Sequence, residues 1–276
     1  MRIALAQINP TLGAFEENAE KIISEILRSK ERKCDLVVFP EACLFGYHPF
    51  DLLERKKLVE LQLKQLKKIE KKIPKDITAI FGLFTINNLK KGKPYFNSAA
   101  VVTKGKKTLF FHKELLPTGD VFDEARFIQN GYIADNIYAF KKKKILITIC
   151  EDIWAWPNSK NQSAYINNPL AKIKDKIDLV INLSASPFYS KKIEIRQKLV
   201  QKTAQHFRAP VIYVNTVGAQ DEIIFDGGSF AVNSKGKLIS KCVQFEEDLN
   251  VIDLDKMQGG FRLQKLKTIE EIKQAL

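Results

Sequence analysis

Short, nearly continuous apolar runs constrain this chain more than any other feature. They fall at 2–8, 35–39, 77–84, 99–102, 108–111, 145–149, 179–183 and 211–214, with helix-length polar segments between several of them. Runs of this length without alternation read as central strands buried on both faces. A strand is buried twice only inside a layered structure, so each face of the sheet needs a cover. The spacing supplies those covers. Phe15, Ala19, Ile22, Ile23, Ile26 and Leu27 fall at helical intervals within 15–30, and Leu58, Leu61, Leu63, Leu66 and Ile69 do so within 53–73. Both segments read as amphipathic helices. A third helix is expected over 191–207, ending ahead of Ala209-Pro210 because the residue before a proline is driven out of the helical region.

Beyond that helix, strands are expected at 229–232, 238–245 and 249–252, separated by Asn233-Ser234-Lys235-Gly236 and an acidic turn. Early helices, mixed strands and late hairpins predict a layered α/β sandwich in place of a simple doubly wound sheet. No internal repeat or low-complexity linker divides the 276 residues, so one domain over 1–276 is expected.

Apolar residues make up 45% of the chain and charged residues 28%, which suits a globular core that needs no disulfide or metal staple. Cys34, Cys43, Cys150 and Cys242 are widely spaced and include no C-x-x-C pair. Neither a zinc site nor a disulfide framework is expected, and a reducing cytoplasm fits. The N-terminus has too short an apolar stretch for a signal peptide, and no run of 18 uncharged apolar residues occurs, so no membrane span is expected. The net charge of +13 raises the question of nucleic acid or an anionic membrane. The lysines, however, lie in short scattered runs such as Lys56-Lys57, Lys71-Lys72 and 141–144, without the interleaved aromatics of a single-strand platform. Neither nucleic acid nor a membrane is expected as a partner.

Three apolar runs end on a chemically capable residue. Val37-Val38-Phe39-Pro40 delivers Glu41, Leu109-Phe110-Phe111-His112 delivers Lys113, and 145–149 delivers Cys150. Singly, a strand-end Glu or Lys is an ordinary surface charge and an isolated Cys an ordinary small hydrophobe. If the three strands are neighbours, their tips bring together a carboxylate base, a cationic oxyanion partner and a thiol nucleophile. That set is sufficient for acyl transfer from an amide. A Cys-His pair is the competing arrangement. His112 alternates away from Lys113 along its strand, His206 lies near a helix end, and His48, in the loop after Glu41, stays open as a partner. No G-x-S-x-G elbow supports a serine triad.

Phe39-Pro40-Glu41, His112-Lys113-Glu114-Leu115-Leu116-Pro117 and Ile149-Cys150-Glu151-Asp152 resemble, in order, the three signature blocks of the nitrilase, or carbon–nitrogen hydrolase, superfamily. Further stretches at 7–13, 121–127, 184–188, 215–222 and 225–230 are similar to the glutaminase domain of glutamine-dependent NAD⁺ synthetases. The resemblance implies a four-layer α-β-β-α sandwich and a Glu41-Lys113-Cys150 triad that hydrolyses glutamine through a thioester. By the same resemblance, Glu124 is an additional carboxylate beside the triad, and Glu151, Ser186 and Lys192 contribute to glutamine binding. No metal or cofactor is implied for this reaction. ATP and Mg²⁺ are implied only for a synthetase domain or subunit that receives the ammonia, and self-association is implied as well.

Two departures accompany the resemblance. Related glutaminase domains commonly carry a tyrosine two residues after the Leu-Pro, where this chain has Gly119 followed by Asp120. The synthetase domain with its Ser-Gly-Gly-type loop is also missing, and 268–276 resembles the helix that leads into it; the chain is expected to be an excised half or a separately encoded subunit. Two other readings stay open. One is a stand-alone amidase of the superfamily acting on another small ω-amide, and the other a non-catalytic subunit whose basic surface docks an acidic partner.

Overall fold

The computed structural model describes residues 1–89, 91–119, 121–157, 162–262, 264, 266 and 268–275. The first part supplies β1 (Arg2–Gln7), α1 (Phe15–Glu31), β2 (Leu36–Val38), α2 (Lys56–Lys72), β3 (Thr78–Ile86), β4 (Tyr95–Thr103) and β5 (Leu109–His112). It continues with β6 (Ile137–Phe140), β7 (Lys143–Ile149), β8 (Leu179–Ser184), α3 (Lys192–Phe207), β9 (Val211–Asn215), β10 (Val217–Gln220) and β11 (Ile223–Asp226). The last elements are β12 (Phe230–Val232), β13 (Leu238–Lys241), β14 (Asp248–Asp253), β15 (Gln258–Gly259) and α4 (Thr268–Ala275).

Two mixed sheets result, in the orders β15-β14-β1-β2-β3-β4-β5 and β13-β12-β9-β8-β7-β6, and β10 and β11 pair as a separate hairpin. Their facing sides share one core, in which Leu5, Val38 and Ile80 of the first sheet meet Ile147, Ile181 and Val214 of the second. The outer side of the first sheet buries Ala6, Val37 and Phe81 against Ile22 and Ile26 of α1 and Leu66 and Ile69 of α2. The outer side of the second buries Leu146, Val180 and Tyr213 against Leu199, Val200 and Ala204 of α3. Each central strand is thus apolar on both sides, and the architecture is the α-β-β-α sandwich. Asp120 and Leu276 lie outside the described residues.

Several boundaries differ from expectation for physical reasons. The helix expected over 53–73 is two elements, a 3₁₀ turn at Phe50–Glu54 and then α2, because Arg55, at φ −95° and ψ 85°, leaves the helical region between them; Leu53 packs with Phe45, Tyr47 and Val59. The buried stripe of α2 is Val59, Gln62, Leu66 and Ile69, while Leu58, Leu61 and Leu63 are only partly buried. Gln62 belongs in that stripe because its amide bonds both backbone groups of Phe84, at 2.7 and 2.9 Å. The run at 108–111 is not central: β5 is an edge strand with Leu109 and Phe110 exposed. The strand expected over 238–245 stops at Lys241, and Phe245 takes a φ of +65°. No described helix is long and apolar enough to cross a membrane.

The strands carrying the three reactive residues are not lateral neighbours. β2 and β5 are separated by β3 and β4, and β7 lies in the other sheet. Their tips meet because the two sheets stack face to face and both chains turn inward at the same end.

Candidate active site

β7 runs straight into Cys150, whose φ of +39° ends the strand and starts a 3₁₀ turn at Cys150–Ile153. Left-handed backbone at a side chain with a Cβ costs about 1–2 kcal/mol. The surroundings hold the turn in place. Asp152 accepts from Ile149 N through Oδ2 at 2.8 Å, and from Glu114 N and Leu115 N through Oδ1 at 3.0 and 2.9 Å. One buried carboxylate therefore ties the thiol-bearing turn to the segment just after Lys113. Burial pushes Asp152 up to about 7 against the pull of these N–H donors.

Glu41 is delivered by a similar turn, with Ala42 at φ +47°. Its backbone lies against Gly82 of β3, where an added Cβ would come within 2.0 Å of Ala42 N and 2.5 Å of Glu41 C. Gly82 is required by this close approach. Gly82→Ala is expected to push the Glu41 turn outward and lower kcat/KM by about 10²-fold, the scale for a 1 Å misplacement, with overpacking of about 1–3 kcal/mol. Unchanged turnover in an alanine variant with unchanged stability would show that the turn has slack.

Lys113 Nζ donates to Glu41 Oε1 and to Glu124 Oε2, each at 2.8 Å, and all three side chains are buried. Asn97 Nδ2 donates to Glu41 Oε1 at 2.8 Å and to Glu124 Oε1 at 3.4 Å. Tyr47 OH donates to Glu124 Oε1 at 2.9 Å, and Ala185 N donates to Glu41 Oε2 at 2.9 Å. Burial raises the pKa of Glu41 despite the Lys113 charge. The Lys113 ammonium is held well above its ordinary value, because Glu124 and Glu41 outweigh the opposing effect of burial. An ammonium has three N–H donors. With two taken by carboxylates, the third remains for an oxyanion.

Burial, followed by the Glu41 charge, raises the Cys150 thiol well above its ordinary value, with Lys113 opposing. The resting group is a thiol, and attack needs a base at the moment of reaction. Burial raises all four cysteines, Cys34 to about 11 and Cys43 to about 12, so acidity does not single out the nucleophile. Position does. Cys150 forms part of the wall of a cavity of about 320 Å³ whose lining also includes Gly119, Glu151, Trp154, Tyr165, Ser186 and Lys192.

The structure thus brings Glu41, Lys113, Glu124 and Cys150 into one charge-coupled cluster, and Gly119, Glu151, Ser186 and Lys192 onto the cavity beside it. A Cβ at Gly119 would meet nothing within 4 Å, so a side chain has room there. The Lys192 ammonium lies 5.2 Å from the Trp154 ring centre and 4.6 Å from that of Tyr189. Ser186 Oγ accepts from Arg196 Nε at 3.1 Å, which leaves the hydroxyl proton for a ligand. Arg196, itself buried, also pairs with Asp226 at 2.6 Å and donates to the carbonyls of Ser186 and Pro187. Asn215 clamps the same loop by accepting from Ser186 N at 2.9 Å and donating to Gly227 O at 3.1 Å. The stretches at 215–222 and 225–230 therefore brace the cavity wall from behind.

His48 is not a partner for the thiol. It accepts from Phe50 N, packs 4.1 Å from the Phe50 ring, and burial lowers it to about 4. His112 faces away from the site, stacked on Phe96 and bonded to Ser98, and His206 packs on Trp156. Sequence reasoning missed Asn97, Tyr47, Tyr165 and Arg196 as functional residues. A polar Asn97-Ser98 pair ahead of an apolar run and an arginine on the inner face of a helix were the available signals for two of them.

Residues 2–261 match the carbon–nitrogen hydrolase family. The chain is 42% identical to a glutamine-dependent NAD(+) synthetase of Synechocystis over 99% of its own length and 50% of the relative's. The solved structure of glutamine-dependent NAD⁺ synthetase from Acinetobacter baumannii superposes with a TM-score of 0.84 at 32% identity, covering 99% of this chain and 50% of that one. A nitrilase-superfamily amidase from Nesterenkonia, at 19% identity and TM-score 0.74 over 92% of this chain and 90% of its own, shares the fold. The chain spans about half the length of the synthetases it matches. With a thiol at a strained strand end, a buried Glu-Lys-Glu cluster beside it and a family match over nearly all its residues, the chain belongs to the carbon–nitrogen hydrolases.

Proposed function

We propose that this protein hydrolyses glutamine to glutamate and supplies the ammonia to an ATP- and Mg²⁺-dependent NAD⁺ synthetase domain or subunit. The observation that carries the reading is the cavity itself. Cys150 shares its wall with one carboxylate, Glu151, and one ammonium, Lys192. An α-amino acid head group presents the complementary pair of charges, whereas a simple amide presents neither. The names of the relatives support the same substrate and the same destination for the ammonia.

The chemistry follows from the residues in place. Cys150 Sγ attacks the amide carbon while Glu41 takes the thiol proton. The oxyanion is met by the third Lys113 N–H and the backbone N–H of Glu151, donors whose individual loss typically costs ~10²–10³ in rate. Glu41 then returns the proton to the departing nitrogen, ammonia leaves, and a thioester remains on Cys150. Glu41 next removes a proton from water, hydroxide adds to the thioester, and glutamate and the thiol are released. Four free thiols support a reducing compartment, which we take to be the cytoplasm.

Glutamine, asparagine and unsubstituted aliphatic amides compared on the purified protein test the reading. The expected result is a kcat/KM for glutamine at least about 10²-fold above that for butanamide, the scale for two charge-assisted contacts of about 1.5–3 kcal/mol each. Faster turnover of an uncharged amide would replace glutamine by a stand-alone amidase substrate.

A further inference from the structure

Tyr165 lines the cavity wall and lies outside the three signature blocks. It belongs to a segment between β7 and β8 that Ser163 pins in place, by donating to Ala155 O at 3.0 Å and accepting from Tyr165 N at 3.1 Å. Its hydroxyl donates to Glu151 Oε1 at 2.8 Å. Both residues line the cavity that holds Cys150, and Gly119, on the same wall, contributes no side chain. Tyr165 is thus the phenol that contacts the cavity's own carboxylate.

We propose that Tyr165 is a specificity-determining positioning residue: by occupying Oε1 of Glu151 it fixes that carboxylate so that Oε2 receives the ammonium group of an α-amino ω-amide. This inference rests on the glutamine reading and deepens it. A carboxylate beside a nucleophilic thiol is useful for recognition only if it stays charged and stays aimed. Burial raises the pKa of Glu151, and the Tyr165 hydrogen bond is the largest opposing influence. The other charges facing Glu151 are Lys113 and Lys192, which favour its ionised form, and Glu124, which disfavours it. Removing the phenol hydroxyl therefore raises the Glu151 pKa further and frees its rotamer. A larger share of the enzyme then carries a neutral Glu151 at neutral pH, and the acid limb of the glutamine profile moves to higher pH.

The test compares glutamine with butanamide, which has the reacting amide and no charged head, on wild type, Tyr165→Phe, Glu151→Gln and the double variant. Protection of Cys150 from iodoacetamide by glutamine gives a second measure of how fully glutamine occupies the site. For Tyr165→Phe the expected result is a KM for glutamine raised about tenfold with kcat changed much less, and a glutamine-to-butanamide preference reduced about tenfold. The acid limb for glutamine shifts upward. Glu151→Gln loses the preference as well, and adding Tyr165→Phe to it has little further effect, because the two residues act as one unit. A Tyr165→Phe enzyme that keeps the wild-type preference, or that loses equally on both amides with an unmoved pH profile, overturns the proposal. A wild type that shows no preference for glutamine instead overturns the substrate reading, and the role of Tyr165 falls with it.

Discussion

Cys150→Ala is expected to abolish NAD⁺ synthesis from glutamine while leaving synthesis from free ammonia intact when the protein is combined with a synthetase. Glutamate release should fall by about 10⁴-fold or more, the scale seen when a catalytic nucleophile is removed. The variant should fold normally, since alanine is a small apolar replacement and takes on the same left-handed backbone at position 150 that the thiol already occupies. The resting cysteine is a buried thiol with Glu41 as the partner that most disfavours its ionisation. Glu41→Gln should lose nearly as much activity as Cys150→Ala, because Glu41 is the charge that acts most strongly on the thiol, and His48 is packed against Phe50 instead. Mass measurement after incubation with a glutamine-like electrophile separates the two variants. An adduct that still forms on Cys150→Ala would assign the nucleophile elsewhere, and absence of both adduct and glutamate release in the wild type would leave the non-catalytic reading.

The layered architecture was legible because the chain carries it twice, in strands apolar on both faces and in helices apolar on one. The convergence of Glu41, Lys113 and Cys150 was legible because strand ends deliver side chains to fixed places. The route by which the three ends meet was not legible from spacing. It depends on the stacking of two sheets through Leu5, Val38, Ile147 and Ile181, a packing between residues more than a hundred positions apart. The polar supports were hidden for a related reason. Asn97 sits within β4 where an apolar residue would pack, and its amide is needed because Glu41 and Glu124 both require donors at that depth. Gln62 in the stripe of α2 and Arg196 in the inner face of α3 are the same kind of exception. Each bonds to a backbone or carboxylate group supplied by a distant segment, so a pattern built on local apolarity passes over it.

The special position of the Glu41 turn has a similar origin. A glycine inside a strand weakens it, and the reason for Gly82 lies across the sheet in the backbone of Glu41 and Ala42. Gln7 accounts for a second glycine. Its amide donates to Val243 O and Glu246 O and accepts from Ser229, and Gly227, at φ +62°, lies so close that a Cβ would come within 2.4 Å of that amide. Residues at 7–13 and 225–230 that resemble one subgroup of the family therefore meet each other, and through Asp226 and Arg196 they reach the Ser186 loop on the cavity wall.

Removing the cation at the centre of the cluster should have the second large effect. Lys113→Met leaves Glu41 and Glu124 facing one another without a counter-charge, and breaking a buried pair in this way typically costs about 3–5 kcal/mol. In the wild type the folded pKa of Lys113 lies above its unfolded value. Its contribution is therefore complete below the unfolded value near 10.5 and is lost only as pH rises through the folded value, so it is constant from pH 5 to 8. In the variant Glu41 loses the group that most lowers its pKa, and burial then favours its protonated form in the folded state. Unfolding then releases a proton above about pH 4.5, and the variant weakens as pH rises by up to about 1.4 kcal/mol per unit. Denaturant titrations at pH 5.5 and 8 should show a stability gap from wild type that widens at the higher pH. Adding Glu124→Gln should recover part of the stability at pH 8, because one of the two opposed carboxylates is gone. It should recover none of the turnover, because the oxyanion still lacks the third N–H of Lys113. A stability gap equal at both pH values would mean that Lys113 is not the counter-charge, and turnover restored in the double variant that it is not the oxyanion donor.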